Sequence, residues 1–171
     1  KAGGGILSTV RHTRAASEDE LYRKGLSILD GMLSLGVTTC EAKSGYGLDL
    51  ATELKQLTVI EKLNETHPVD LVPTFLGAHA VPEEYKENPD AYVDLLVDTI
   101  IPAVAEKGLA RYCDVFCETG VFSPEQSRRV LEAGREQRLI PKIHADEIDA
   151  IGGAELAGEV HAISAEHLIA T

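Results

Sequence analysis

Segments with strand character and segments with helix character alternate along the whole chain, and this limits the possible folds more than any other feature. Residues 17–35 have helical spacing. Leu21, Ile28, Leu29, Met32 and Leu33 form one stripe, Ser17 with Glu20 has the signature of a capping box, and Gly36 follows as a stop. The short β-branched run 37–43 predicts a strand. Helical spacing returns over 49–66 through Leu50, Leu54, Leu57, Ile60 and Leu63, and 70–76 predicts a second strand. A helix over 91–107, bent at Pro102, precedes a strand over 111–117. Ser123 caps a helix that has Pro124 at its first position and runs to 138. A strand over 139–145, a short helix over 153–158 and a last strand over 162–166 complete the pattern.

Alternation of this kind implies parallel strands joined by crossover helices. Two α/β architectures fit: an open doubly wound sheet and a (β/α)8 barrel. A complete barrel takes about 250 residues, so about five strand-helix units amount to part of one. The expected fold is part of a TIM-like (β/α)8 barrel. Residues 1–171 are expected to form a single partial domain, with N-terminal and C-terminal parts missing. The first residue is Lys1 and not Met, which fits a cut-out or a processed product.

Composition narrows the function classes. An apolar fraction of 44% suffices for a core. The net charge of −12 repels phosphate backbones and anionic lipid heads, so neither nucleic acid nor membrane is an expected partner. No stretch of about 18 apolar residues is present, and nothing resembles a signal peptide. Three cysteines (Cys40, Cys113 and Cys117) without a Cys-x-x-Cys pair fit buried, reduced thiols in a cytoplasmic protein.

The chemistry collects where strands end. The first strand leads into Glu41, Lys43, Ser44 and the run Gly45-Tyr46-Gly47, the second into His79, the third into Glu118, the fourth into His144 and Glu147, and the fifth into Glu166 and His167. In parallel α/β folds all carboxyl ends lie on one face, where active sites form. A neutral imidazole suits Zn²⁺ or Fe²⁺, and a nearby carboxylate can orient ligands or shuttle protons. Each residue also has a plainer reading. His144 alone would be a hydrogen-bonded strand histidine, and Glu147 a solvated carboxylate. His79 would cap its loop, His167 would pair with Glu166, Tyr46 would pack, and Lys43 would pair with Glu118. His12, His67 and His161 lie off the strand ends and read as surface or helix-end residues. There is no Gly-x-Ser-x-Gly elbow, Walker loop or Gly-x-Gly-x-x-Gly.

Five runs in order resemble one family across essentially the whole chain: Gly3-Gly4-Gly5-Ile6, the stretch from Glu41 to Leu48, Thr74-Phe75-Leu76-Gly77-Ala78-His79, Asp114-Val115-Phe116-Cys117-Glu118, and Ile143-His144-Ala145-Asp146-Glu147. They are similar to the imidazolonepropionases of the amidohydrolase superfamily. The resemblance implies hydrolysis of the ring amide C–N bond of 4-imidazolone-5-propanoate to N-formimidoyl-L-glutamate in histidine breakdown. It implies one zinc or iron ion per full-length subunit, with His144 as the metal ligand from this segment. Glu147 would contact the ring and assist proton transfer. Tyr46 and His79 would bind substrate, and His167 would lie near the reacting water. A small-molecule substrate and a homodimer are the expected partners.

The same resemblance requires a paired His-x-His and an aspartate ligand. No His-x-His occurs in these 171 residues, and the aspartate would lie beyond Thr171. The segment alone is therefore expected to be inactive. Two other readings compete: another cyclic amidohydrolase, and a non-catalytic barrel fragment that associates through unpaired strand edges.

Overall fold

The computed structural model describes residues 5–171. Residues 3 and 4 of the glycine run lie outside the described residues. Two helices come first: α1 (Ile6–Ala15) and α2 (Glu18–Ser34). The parallel sheet is built from β1 (Thr39–Lys43), β2 (Asp70–Ala78), β3 (Tyr112–Cys117), β4 (Ile140–Pro141), β5 (Ile143–Ala145) and β6 (Ala165–His167). Its order is β1-β2-β3-β5-β6, with β4 and β5 both pairing with β3 and β6 beside β5. Helices α3 (Leu50–Thr66), α4 (Pro89–Leu95), α5 (Ile101–Glu106), α6 (Pro124–Glu136) and α7 (Gly153–Glu159) fill the crossovers. The result is a curled parallel sheet with helices on one side, the arrangement of about half a β/α barrel.

Alternation along the strands sorts the two faces. Phe75, Cys113, Val115, Cys117, Ile143 and Ala145 are buried in the core shared with the helices. That core continues through Leu57, Leu96, Ile101, Val130 and Leu131 of the helices. Glu41, Lys43, Thr74, Asp114, Lys142, His144 and Glu166 fall on the opposite, concave face, where they pair with one another.

Local chemistry accounts for the boundaries. Ser17 accepts from the Glu20 amide while Glu20 accepts from the Ser17 amide, and Ser123 and Gln126 do the same at α6. Asp49 accepts from the Thr52 amide and starts α3. The strand expected over 139–145 is interrupted. The break falls at Lys142, but the register on β3 is the same on both sides and the Lys142 amide still donates to the Cys113 carbonyl at 2.8 Å. The helix expected over 91–107 is also divided. A π-helical turn at Leu96–Ile100 separates α4 from α5 just before Pro102, which cannot donate to the carbonyl four residues back. The last strand lies later than the expected 162–166 and takes His167 into the sheet.

Helix α1 was not foreseen. Its sequence is mostly polar and β-branched, and only Val10 and Thr13 are buried. Of the cysteines, Cys113 and Cys117 are buried as expected, while Cys40 is only half-buried; all three are free. No helix among the described residues is long and apolar enough to cross a membrane.

A candidate metal and substrate site at the carboxyl rim

The concave face carries an ion-pair network instead of the aliphatic layers usual inside a barrel. Asp114, with no exposed surface, accepts from Lys43 Nζ at 2.6 Å through Oδ2. Its Oδ1 lies 3.1 Å from His144 Nδ1 and also accepts from the Val115 amide at 2.8 Å. Glu41 reaches Lys43 at 3.2 Å and Lys142 at 2.7 Å, and it accepts from the Thr74 hydroxyl. Lys142 continues to Glu166 at 3.1 Å. Burial pushes the Asp114 carboxyl up, but the hydrogen bond and charge of His144 and the Lys43 ammonium outweigh it and hold it below the usual carboxylate range. Lys142 is pushed down by burial, but Glu166 and Glu41 raise it above the ordinary lysine value.

The pairing of Lys43 with Glu118 is not observed. Lys43 is drawn to Asp114 and Glu41 on the concave face. Glu118 is buried and spends its carboxylate on backbone amides: Thr119 at 2.7 Å, Ile148 at 2.8 Å and Asp149 at 3.3 Å. Those contacts pin the loop that carries Glu147. Asp146 ties the other end of that loop by accepting from the amides of Ile151, Gly153 and Ala154. Asp146, His167 and Leu168 all have positive φ, at 50°, 75° and 54°. Left-handed backbone at non-glycine residues is costly and clusters at functional sites.

Above the network the rim holds a row of rings. Tyr46 meets His79 edge-on with centroids 5.0 Å apart, and Phe116 stands 6.3 Å from His79 and 6.3 Å from His144. His144 is 5.3 Å from His167, whose Nε2 lies 3.6 Å from Glu147 Oε2. The structure thus brings Tyr46, His79, His144, Glu147 and His167 along one edge. Glu166 does not pair with His167; it turns to Lys142 and to the Ser164 hydroxyl. Phe116, Asp114 and Lys142 were missed as site residues. The period-two pattern of β3 and β5 was the signal that placed them on the face of His144.

The residues present accommodate a metal at His144. Its Nδ1 is held by the Asp114 carboxylate, and its Nε2 makes no hydrogen bond among the described residues. A ring held at one nitrogen by a carboxylate and open at the other is the usual state of a metal-ligating histidine. Asp114, His144 and Glu166 offer ligand atoms within 4.8 Å of one another. Asp114 is already committed to Lys43, however. Of Glu166, only Oε2 is buried without a partner. The cluster is therefore better described as an ion-pair ring around one available imidazole than as a closed metal cage.

By fold the chain is a curled parallel α/β sheet of the kind found in a fragment of a TIM-like barrel, with its polar groups at the carboxyl ends of parallel strands. No protein-family model matches it. It is 64% identical over 169 residues to the imidazolonepropionase of Alkaliphilus metalliredigens, covering 99% of this chain and 40% of that protein. It is 62% identical over 167 residues to the imidazolonepropionase of Brevibacillus brevis, covering 98% and 39%. It is 61% identical over 168 residues to that of Geobacillus kaustophilus, covering 98% and 40%. The chain matches these proteins named imidazolonepropionase along nearly its whole length and spans about 40% of theirs.

Proposed function

We propose that these residues form part of the active site of a metal-dependent hydrolase that opens the ring of 4-imidazolone-5-propanoate at its amide C–N bond, yielding N-formimidoyl-L-glutamate in histidine degradation. The reading rests on the rim row in which Tyr46, His79, His144 and His167 follow one another, with Glu147 at its end. The similarity to proteins named imidazolonepropionase supports the same substrate.

His144 would hold the metal, and Asp114 orients its ring through Nδ1. A zinc or iron ion there, one per full-length subunit, would supply Lewis acidity toward the ring carbonyl and water. Glu147 takes the proton from the attacking water and returns it to the departing ring nitrogen. Its contact with His167 keeps both groups on one edge, where the His167 imidazole can hydrogen-bond the water. Tyr46 and His79 hold the imidazolone ring. Glu118 and Asp146 keep the loop of Glu147 in place through five backbone amides at 3.1 Å or less. The remaining ligands, a His-x-His pair and an aspartate, come from outside these 171 residues, so residues 1–171 by themselves are read as one partial domain without activity. The same reading makes the complete enzyme a cytoplasmic homodimer with no nucleic-acid or membrane partner.

The test is turnover of imidazolone propionate by a full-length imidazolonepropionase carrying these residues in place of its own counterpart. Glu147→Gln should lower kcat by about 10²-fold or more. Hydrolysis of dihydroorotate or a hydantoin without hydrolysis of imidazolone propionate would replace this reading with that of another cyclic amidohydrolase.

A further inference from the structure

Glu53 stands in the first turn of α3, away from the rim, and is completely buried. Its carboxylate accepts from three backbone amides of the loop after β1: Gly45 at 3.0 Å, Gly47 at 2.8 Å and Leu48 at 2.9 Å. The amide between them, that of Tyr46, goes to Gln56 Oε1 at 3.2 Å. Two side chains of one helix thus capture four consecutive N–H groups. Arg14 takes the Gly47 carbonyl at 2.7 Å and the Leu48 carbonyl at 3.3 Å. The Gly45 carbonyl meets His79 Nδ1 at 3.0 Å. Gly45 has φ +105°, and a Cβ there would come within 2.6 Å of the Leu76 carbonyl. The loop has one shape, and α3 sets it.

A carbonyl only accepts, so His79 donates Nδ1–H to Gly45. Its Nε2 makes no hydrogen bond among the described residues and lies in the ring row of the rim. Burial pushes the His79 imidazole below its ordinary value, against the opposing effect of the Gly45 bond, so the ring is neutral near pH 7. A neutral ring with hydrogen on Nδ1 has a lone pair on Nε2.

We infer that Glu53 is a positioning residue: through the Gly45 carbonyl it holds His79 as the Nδ1–H tautomer, so that His79 accepts a hydrogen bond from an N–H of the substrate ring and does not face its carboxylate. The inference deepens the proposed function and rests on its placement of His79 against substrate.

The experiment uses the full-length enzyme carrying these residues, labelled with ¹⁵N-histidine, as wild type and as Glu53→Gln. Wild-type His79 should give the Nδ1–H pattern at neutral pH. In the variant, an NH₂ replaces one carboxylate oxygen and meets at least one backbone N–H donor to donor. The Gly45 carbonyl should then shift, the His79 tautomers should mix, and KM should rise about tenfold with a smaller change in kcat. A merely structural Glu53 would lower thermal stability yet leave KM and the tautomer of the folded enzyme unchanged, and that result would overturn the inference. If Glu53→Gln does not fold, the wild-type spectrum still decides: an Nε2–H pattern at His79 overturns it. Absence of wild-type turnover on imidazolone propionate would instead count against the function, while the tautomer remained readable.

Discussion

Replacing Asp114 by alanine should be among the most damaging single changes on the concave face. The side chain has no exposed surface and serves Lys43, His144 and the Val115 amide at once. Its removal leaves the Lys43 ammonium, 24% exposed, with only the longer contact to Glu41, and leaves His144 Nδ1 without its acceptor. Removing one partner of a buried pair costs about 3–5 kcal/mol. At about 2–4 °C per kcal/mol for a chain of this size, the melting temperature should fall by roughly 10 °C. Circular dichroism melts of the 171-residue chain measure this directly. The acid limit gives a second reading. The folded carboxyl of Asp114 lies below its ordinary value, so its contribution is present above the ordinary aspartate pKa of about 3.9 and is lost as pH falls through the folded value. Wild type and variant should therefore differ fully at pH 7 and converge below about pH 4. A shift under about 2 °C at pH 7, or a gap that does not narrow in acid, would refute the network described for the concave face.

Other outcomes follow from the same geometry. Gly45→Ala places a Cβ against the Leu76 carbonyl in a left-handed backbone, so it should cost about 2 kcal/mol or more and raise KM for substrate; a neutral melt and unchanged KM would contradict the loop's role. Burial raises the thiol pKa of Cys113 and Cys117, and both should resist a thiol reagent in native protein while reacting promptly in denaturant. Rapid native labelling of both would contradict their burial.

Much of the scaffold is legible in the sequence because local signals agree with the fold. The capping pairs at Ser17 and Ser123 announce their helices, and the β-branched run before Lys43 announces β1. The rim histidines are legible for a similar reason, since parallel strands bring their carboxyl ends together. What escapes is carried by contacts distant in sequence. Lys43 and Asp114 are 71 residues apart, and Lys142 and Glu41 are 101 apart. No local pattern distinguishes these partners from Glu118, the partner expected for Lys43. Glu53 escapes as well, because it sits where any acidic residue would favour a helix start, while its work is done on a loop five to eight residues away. Helix α1 is hidden by weak helix formers and a narrow buried face.

The central claim is that His144 is the metal ligand contributed by this segment. Metal content per subunit decides it, measured on the full-length enzyme carrying these residues as wild type and as His144→Ala, each purified without added chelator. Wild type should hold one zinc or iron ion per subunit, and the variant should lose most of it along with turnover. Equal metal in both proteins would contradict the account.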